Sequence, residues 1–505
     1  MNNTPSIAVS STPMSSVPSR RLGKALRFAL AATAIASLAA CANFSGIDPV
    51  AQPRDAASLS LGTSDAANAG TMQAIDAAWW QGFGDSQLNS LIDQALASSP
   101  NLKLAQTRIA RAQAGLDLAD TGLKPRVDAA VDITHQRYTE NGLYPAPLAG
   151  SIRDTGTAQL NGSWELDFFG KNRAALDAAL GSVRAAQADA QAARILLASQ
   201  VARSYFQLMR IQEQLGVAQR TLAQRGETLD LVRDRVNAGL DTRLELRQSE
   251  GGLPEARQQI EALQEQATLA RNALSALVGQ PHAADALVTQ PLASVKIAMS
   301  ITSATQIPAD LLGRRADIAA ARWRVEAATR DTASAKAQFY PNINLVGFVG
   351  LSSIGLGKLA DAGSLQWGVG PALRLPIFDA GRLRANLRGK TADLDAAVES
   401  YNASVLDAVR DVADQLASSS SITRQQAEQQ QAETAAEGAY EIAVQRYRAG
   451  LGTYLNVLTA ETNVLNQRRQ RVDLVARALD TQVALIRALG GGYVPSEATH
   501  TAAAH

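Results

Sequence analysis

Large aromatic side chains are scarce in this chain, in which phenylalanine, tryptophan and tyrosine together make up 5% of 505 residues. Because such side chains usually fill globular cores, the composition does not favour a set of large compact domains. Lysine and arginine number 48 against 47 aspartates and glutamates. A net charge of +1 gives no electrostatic reason to expect a nucleic-acid partner.

Groups that carry catalysis or bind metals are also few. A single cysteine excludes a disulfide framework and a cysteine-rich zinc module. The four histidines are widely scattered along the chain, at His135, His282, His500 and His505. Neither a glycine-rich phosphate loop before a helix nor a nucleophile motif is present. We therefore expect no enzyme, no metal and no cofactor, and after residue 40 no stretch is apolar enough for a transmembrane helix.

The first 40 residues have the pattern of a signal peptide, with a basic flank before the apolar run Phe28 to Leu38. This run ends in Leu38-Ala39-Ala40-Cys41, which resembles the lipobox of bacterial lipoproteins. The resemblance implies a covalent lipid on Cys41, whereas the alternative is a buried, inert cysteine. Residues 41–74 are then a lipidated tether, and residues 495–505 are expected to form a flexible tail.

Proline placement predicts two unusually long helices. No proline occurs between Pro147 and Pro254 or between Pro376 and Pro495, and proline breaks helices. Within these windows apolar residues recur every seventh position, as in Leu208, Leu215, Leu222, Leu229 and Val236. Sustained heptads of this kind indicate helices packed side by side. The proline that closes the first window follows Gly251-Gly252-Leu253, and this segment predicts a kink in the following helix.

The two halves of the chain repeat each other at a spacing near 210 residues, so that Phe169 and Arg173 match Phe378 and Arg382. We predict one repeat over residues 75–290 and a second over residues 291–494. Each is expected to contain two β-strands, one very long helix and stacked shorter coiled-coil helices. The fold class is therefore mainly α, with a membrane β-barrel contribution.

Four segments change to period-two alternation, at residues 126–138, 157–168, 341–350 and 364–375. Alternation over about ten residues suits a transmembrane β-strand. The alternative is an amphipathic sheet on a soluble core. Charged residues on or beside the polar faces would line water in a barrel lumen: Asp128, Asp132, Glu165, Asp167 and Arg374. Four strands cannot close a barrel, so we expect other copies of the chain to complete it.

Several motifs resemble the outer-membrane factor family of tripartite efflux systems, the TolC/OprM type, and its NodT-like lipoprotein branch. They run from about Trp79 to Tyr493 and comprise WWQGFGD (79–85), WELDFFG (164–170), RRADI (314–318), FYP (339–341), LPIFDAGR (375–382), YRAG (447–450) and ALGGG (488–492). The resemblance implies a homotrimer with a twelve-stranded barrel in the outer membrane and an α-helical periplasmic tunnel. It also implies passive export, with a periplasmic adaptor protein, a proton-driven inner-membrane pump and outer-membrane lipid as partners.

The resemblance further assigns roles to the two helix turns. Tip contacts with the adaptor or pump fall on Gly239, Leu240, Thr242, Gly450, Leu451 and Thr453. Candidates for a closed periplasmic aperture are Leu455, Thr459, Glu461, Thr462, Asp241 and Arg243. The family has an acid and an arginine at the positions of Thr459 and Thr462, so this chain departs from a charged closure. Ordinary coiled-coil packing for Leu455 and a solvated charge for Arg243 are the alternatives.

Two other functions remain open from the sequence. A channel of the same design could secrete proteins instead of small compounds. A lipid-anchored periplasmic coiled-coil scaffold is a further alternative, although a scaffold has no need for four strands that are apolar on one face.

Overall fold

The computed structural model describes residues 44–54, 75–285, 287, 290–296 and 313–493. The predicted signal peptide, Cys41 and the predicted tail 495–505 lie outside these residues. Within the described chain, no helix is both long enough and apolar enough to traverse a bilayer.

The elements follow one another in the same order in both halves. The first half has a short 3-10 helix, Trp79–Phe83, and then α1 (Ser86–Ser98), α2 (Pro100–Thr121), β1 (Arg126–Arg137), β2 (Ile152–Leu166), α3 (Lys171–Asn237) and α4 (Arg243–Val278). The second half has α5 (Ala316–Ala337), β3 (Asn342–Ile354), β4 (Leu365–Arg374), α6 (Arg382–Arg448) and α7 (Tyr454–Ala488). Two strands, a long helix and shorter helices in each repeat confirm the predicted fold class.

The long helices α3 and α6 each contain 67 residues, so each is about 100 Å long at 1.5 Å per residue. Their bounds agree with the proline-free windows of the sequence. Pro254 lies inside a continuous helix from Arg243 to Val278, so residues 251–254 do not interrupt α4, and the kink stays a prediction. The other backbone hydrogen bonds of the helix, together with packing, maintain it past this residue.

The four described strands form one antiparallel sheet in the order β1-β2-β3-β4. Two strand ends differ from the prediction by four or five residues, since β2 begins at Ile152 instead of 157 and β3 continues to Ile354 instead of 350, and the other differences are one or two residues. Most of the extra residues are polar or small, and the pairing reaches Ile152 with Arg137 and Ile354 with Thr155. Backbone pairing therefore continues beyond the point where apolar alternation, the signal in the sequence, stops.

Contacts divide the chain into two compact units that cut across the two sequence repeats. The strand unit contains Ala119–Ala175 and Arg330–Thr391, and it also includes residues 44–48. The helical unit contains the described parts of Pro49–Leu118, Leu176–Thr329 and Ala392–His505. The strands of both repeats pair in one sheet, so neither repeat is a compact body by itself.

The helical unit has the larger core, in which the WWQGFGD motif is buried. Trp79, Trp80 and Phe83 are 5%, 3% and 1% exposed, and Phe83 packs edge-on against Phe206. The hydroxyl of Tyr205 donates to Asp85 Oδ2 at 2.8 Å. This motif therefore anchors the start of the first repeat to α3.

The described part of the predicted tether packs against helices. In the strand unit, Ile47 is buried in a small cluster with Ala335, Phe339, Leu383 and Leu387. In the helical unit, the amides of Val50 and Ala51 both donate to Asp395 Oδ1 at 2.9 Å. Residues 44–54 are thus not a free linker, although their polar and small residues carry no periodic signal of this docking.

Candidate functional site

The sheet has one apolar and one polar face. Register places most of the large apolar residues of the four strands on the same face, as in the row Ala129, Leu160, Val349 and Trp367, while Val346 and Phe348 lie on the other face. This face is open in a single copy, and Val131, Trp367 and Val369 are 71%, 72% and 70% exposed. An apolar face of this extent suits lipid or a partner and is costly in water.

The predicted lumen residues Asp128, Asp132, Glu165 and Arg374 lie on the opposite face of the sheet. Asp128 is paired with Asn161 and Asp132 with Thr157 across β1 and β2. Arg126 Nε lies 2.9 Å from Asp128 Oδ2. The polar face therefore carries charges of both signs.

The fifth predicted lumen residue, Asp167, lies beyond the end of β2, which corrects the predicted strand end at residue 168. Its carboxylate accepts hydrogen bonds from the backbone amides of Asn172 at 3.2 Å and Arg173 at 2.8 Å. Asp167 therefore satisfies otherwise unpaired donors at the start of α3. The Asp167 carboxylate therefore stabilises the first turn of α3, immediately after the end of β2.

The two helix turns are built alike. Gly239 and Gly450 adopt φ values of 72° and 75°, a left-handed conformation that glycine adopts without a steric penalty. After each glycine, the amide of the next residue, Leu240 or Leu451, donates back to Arg235 O at 2.9 Å or Arg446 O at 2.8 Å. The repeated sequence therefore produces two equivalent helix ends.

The starts of the next helices differ. Thr242 caps α4 by accepting from the amide of Leu244 at 3.1 Å, and its own amide donates to Glu245 at 3.0 Å. Thr453 occupies the equivalent position before α7 but makes no side-chain capping bond. Arg243 is exposed and has no ion pair within the described part of the chain.

Asp241 links the two turns instead of standing free at an aperture. Its carboxylate accepts from Arg235 Nε at 2.8 Å and from the hydroxyl of Tyr447. Arg235 also donates to Tyr447 O at 2.9 Å, and its guanidinium lies 4.6 Å from the centroid of the Tyr447 ring. Arg235 and Tyr447 were not selected from the sequence, although both belong to the repeated turn motifs.

The pKa of Asp241 reflects these bonds. Burial would raise it, but the hydrogen bonds from Arg235 and Tyr447 lower the pKa below its ordinary value. The pKa of the Tyr447 hydroxyl is raised by burial and by its bond to Asp241. The link is therefore charged at neutral pH and contains one carboxylate, one guanidinium and one neutral phenol.

Acidification should loosen this link. Because the pKa of Asp241 is lower in the folded chain than the value of about 3.9 for a free aspartate, its stabilisation is complete above that value. It is lost as the pH falls through the folded pKa. We expect hydrogen exchange at residues 239–242 and 447–451 to accelerate under these conditions relative to the intrinsic exchange rate of an unprotected amide at the same pH.

Asp241→Asn provides the comparison. It should give fast exchange in both turns at neutral pH and should remove the acceleration on acidification, since the substituted side chain does not titrate. Equal exchange in the unchanged chain and in Asp241→Asn at neutral pH would show that the carboxylate does not hold the turns together.

The remaining aperture candidates occupy α7. Leu455 is 62% exposed, and Leu240, Leu244 and Leu451 of the two turns are similarly exposed at 65%, 63% and 69%. The hydroxyls of Thr459 and Thr462 donate to the carbonyls of Leu455 and Leu458, each at 2.9 Å. Both threonines therefore satisfy their hydroxyl donors within their own helix, and neither provides a charge.

Glu461 is buried, at 8% exposed. Its Oε1 accepts from Arg225 Nε of α3 at 2.9 Å. Arg225 Nη1 also donates to Gly252 O and to Glu255 of α4, at 2.8 and 2.9 Å. Burial would lower the pKa of Arg225, but these carboxylates raise it. One guanidinium therefore joins three helices in place of an exposed aperture charge.

Arg225 was not predicted from the sequence, although a second seven-residue series in α3 contains a signal for it. Ile211, Ala218 and Val232 are separated by seven and fourteen residues, so they lie on one side of the helix. They are 3%, 5% and 0% exposed. Arg225 falls on the same stripe, so a charged residue occupies a core position. Such a position calls for a buried partner.

No group of three or more histidine, cysteine, aspartate or glutamate side chains is arranged to hold a metal ion among the described residues.

An antiparallel sheet with one open apolar face, joined to helices of 67 residues, defines an outer-membrane channel subunit. The model of the outer membrane efflux protein family matches residues 91–280 and 307–491, and the chain belongs to this family. The two matched segments correspond to the two repeats of the sequence.

The chain is similar to three characterised relatives over most of its length. It is 33% identical over 426 residues to the multidrug resistance outer membrane protein MdtQ of Escherichia coli O157:H7, covering 83% of this chain and 88% of that protein. It is 34% identical over 452 residues to the outer membrane protein OprJ of Pseudomonas aeruginosa, covering 87% and 91%. The crystal structure of VceC from Vibrio cholerae superposes with a TM-score of 0.76 at 37% identity, covering 82% and 98%.

The protein is therefore an outer-membrane efflux protein, and its activity is the passive passage of compounds through a channel. The family consists of channel proteins and not of enzymes. Its members form trimeric outer-membrane channels that work in tripartite efflux systems.

Proposed function

We propose that three copies of this chain close a twelve-stranded barrel that conducts small toxic compounds out of the cell. The supporting observation is the sheet itself. It has four strands, an exposed apolar face, and outer edges on β1 and β4 that pair with no other described strand. Unpaired backbone groups in lipid cost several kcal/mol each, so a single copy cannot remain open there.

Strand direction supports closure by copies of the same chain. In a meander of four antiparallel strands, β1 and β4 run in opposite directions. The β4 edge of one copy can therefore pair with the β1 edge of the next and keep the alternation around a ring. Eight strands would leave an interior filled by side chains, whereas twelve leave room for a channel.

The partners follow from the passive nature of the conduit. A periplasmic adaptor and an inner-membrane pump, driven by protons, would supply the compounds and the energy. The exposed leucines around Gly239 and Gly450 are the surface proposed for adaptor or pump contact, and helix movement there would open the aperture. Such a movement would have to break or rearrange the hydrogen bonds of Asp241 between the two turns and those of Arg225 between the three helices.

The proposal also includes a lipid on Cys41. The docking of Ile47 in the strand unit supports it, because Ile47 lies only six positions after Cys41. A lipid there would lie within a short reach of the sheet. The intact mass of protein extracted from membranes tests this part, and a mass without acyl chains would contradict it.

Purified protein in a planar lipid bilayer tests the channel. We expect discrete single-channel currents and three-fold symmetric rings with a central opening in electron micrographs. Protein that remains a single copy in detergent and carries no current in the bilayer would overturn the proposal.

Leu455→Ala should raise the resting current several-fold, because it removes an exposed apolar side chain at the proposed constriction. Leu269→Ala is the matched control, since Leu269 is 58% exposed on α4 and lies outside the turns. Equal resting currents for both variants and the unchanged chain would remove Leu455 from the aperture.

A further inference from the structure

A cleft of about 520 Å³ lies within the strand unit, where β2 leads into α3 and β4 leads into α6. The end of α5 forms its floor, with Ser334, Ala337 and Gln338 among its lining residues. Its size is within the range of about 300–1,000 Å³ that holds small organic ligands. Neither the family assignment nor the helix turns assign it a role.

Register shows which face of the sheet the cleft opens on. Four of its lining residues belong to the sheet: Leu166, the last residue of β2, is on the apolar face, and the other three are Glu165, Asn342 and Arg374. Glu165 pairs with Asn344, and Asn342 pairs with Arg374. Since successive residues alternate between faces, all three lie on the polar face. The cleft is therefore on the side that the proposed function assigns to the channel lumen.

The other charged side chains of the cleft have partners of their own, so its two guanidinium groups are available to bind a ligand. Lys171 is occupied, because its Nζ lies 2.6 Å from Glu165 Oε1. Asp167 is occupied by the amides that begin α3. Arg374 has no ion pair or hydrogen bond within the described residues, and Arg382 lies near Asp379 of its own turn. The oxygens of Asp379 accept from the amides of Gly381 and Leu383 at 3.0 and 2.9 Å.

Aromatic rings line the same cleft. Phe168 and Phe169 are 68% and 46% exposed. Phe169 stacks on Tyr340 with 4.9 Å between centroids and an interplanar angle of 10°. The side-chain oxygen of Asn342 is buried without a hydrogen-bond partner in the described chain. A hydroxyl or N–H group on a ligand would satisfy this oxygen.

We propose that this cleft binds small aromatic carboxylates on the channel wall, a property that rests on the proposed function for its place in the lumen. The guanidinium groups of Arg374 and Arg382 match a carboxylate in charge and shape. The Phe169–Tyr340 stack offers a flat apolar surface for a ring. The cleft thus favours one chemical class of cargo, anions attached to a planar ring.

Binding of naphthalene-2-carboxylate to the purified full chain, followed by the fluorescence of the ligand, tests the proposal. Arg374→Gln and Arg382→Gln are each expected to weaken binding by about tenfold, since each removes a charge-assisted pair. Arg388→Gln is the matched control, because Arg388 is exposed on the same helix as Arg382 and does not line the cleft. Phe169→Leu should weaken binding, and Phe378→Leu, at a 90% exposed position outside the cleft, should not.

Two further ligands test the charge requirement. The neutral methyl 2-naphthoate, which like the carboxylate has no hydrogen-bond donor for Asn342, should bind about tenfold more weakly than the carboxylate. Tighter binding of 2-naphthylmethylammonium would overturn the proposal and show that Glu165 and Asp167 dominate the cleft. Equal binding by all the arginine variants would overturn it as well.

The binding experiment is independent of conduction. Currents in a bilayer without naphthoate binding would contradict only the cleft proposal. Naphthoate binding without currents would leave the cleft in place and contradict the proposed channel.

Discussion

Gly490→Ala is expected to unfold the helical unit at much lower temperature than the unchanged chain. A Cβ atom at this position would lie 2.1 Å from the carbonyl oxygen of Arg314, a backbone atom that cannot move aside cheaply. The φ of Gly490 is 104°, which side-chain-bearing residues rarely adopt. Overpacking costs about 1–3 kcal/mol and the backbone strain about 1–3 kcal/mol more. Thermal unfolding followed by helical circular dichroism measures the loss.

Gly389→Ala is the control for this substitution. Gly389 lies in α6 with nothing within 4 Å of an added Cβ, and alanine is favoured over glycine inside a helix by about 1 kcal/mol. We expect the unfolding temperature of Gly389→Ala to stay equal or rise. Similar unfolding temperatures for Gly490→Ala and the unchanged chain would mean that the RRADI and ALGGG segments do not need their close approach.

Arg225→Met should produce the second large effect, a loss of about 3–5 kcal/mol, because it leaves the buried carboxylate of Glu461 without its partner. The methionine keeps the volume of the stem but donates no hydrogen bond. Gly252 O also loses a donor at 2.8 Å. Chemical denaturation of the detergent-solubilised protein measures the difference in the free energy of unfolding.

The double variant Arg225→Met with Glu461→Leu separates charge from packing. An apolar pair of similar volume often replaces a buried ion pair without loss, so stability should return close to that of the unchanged chain. A double variant as unstable as Arg225→Met would show that the geometry of the pair, and not the orphaned charge, sets the cost. Arg233→Met is a surface control, since Arg233 forms an ion pair with Asp230 between two exposed side chains and such pairs contribute about 0–1 kcal/mol.

The long elements were predictable from sequence because each depends on a local pattern. Proline-free windows locate α3 and α6, a heptad repeat supports α3, and period-two alternation locates the strands. Helix-ending glycines locate both turns, since Gly239 and Gly450 need a left-handed backbone. These signals lie within a few residues of the feature they report.

Contacts between distant segments were not predictable in the same way. The partner of Glu461 lies 236 positions away, and nothing near Glu461 identifies Arg225 among many arginines. The docking of residues 50 and 51 on Asp395 is similar, at a separation of about 345 positions. Strand alternation placed Asp167 in the lumen, but an aspartate at that position is equally suited to accept hydrogen bonds from the first amides of a helix. Only the geometry decides between them.

The open sheet also constrains how the protein is made. A lone copy would expose Val131, Trp367 and Val369 to the aqueous periplasm, and in lipid it would leave the edges of β1 and β4 without partners. A single copy is therefore destabilised both in water, by its exposed apolar face, and in lipid, by its unpaired strand edges. Under the proposed closure, assembly and insertion become a single event, and the local abundance of newly exported chains sets its rate.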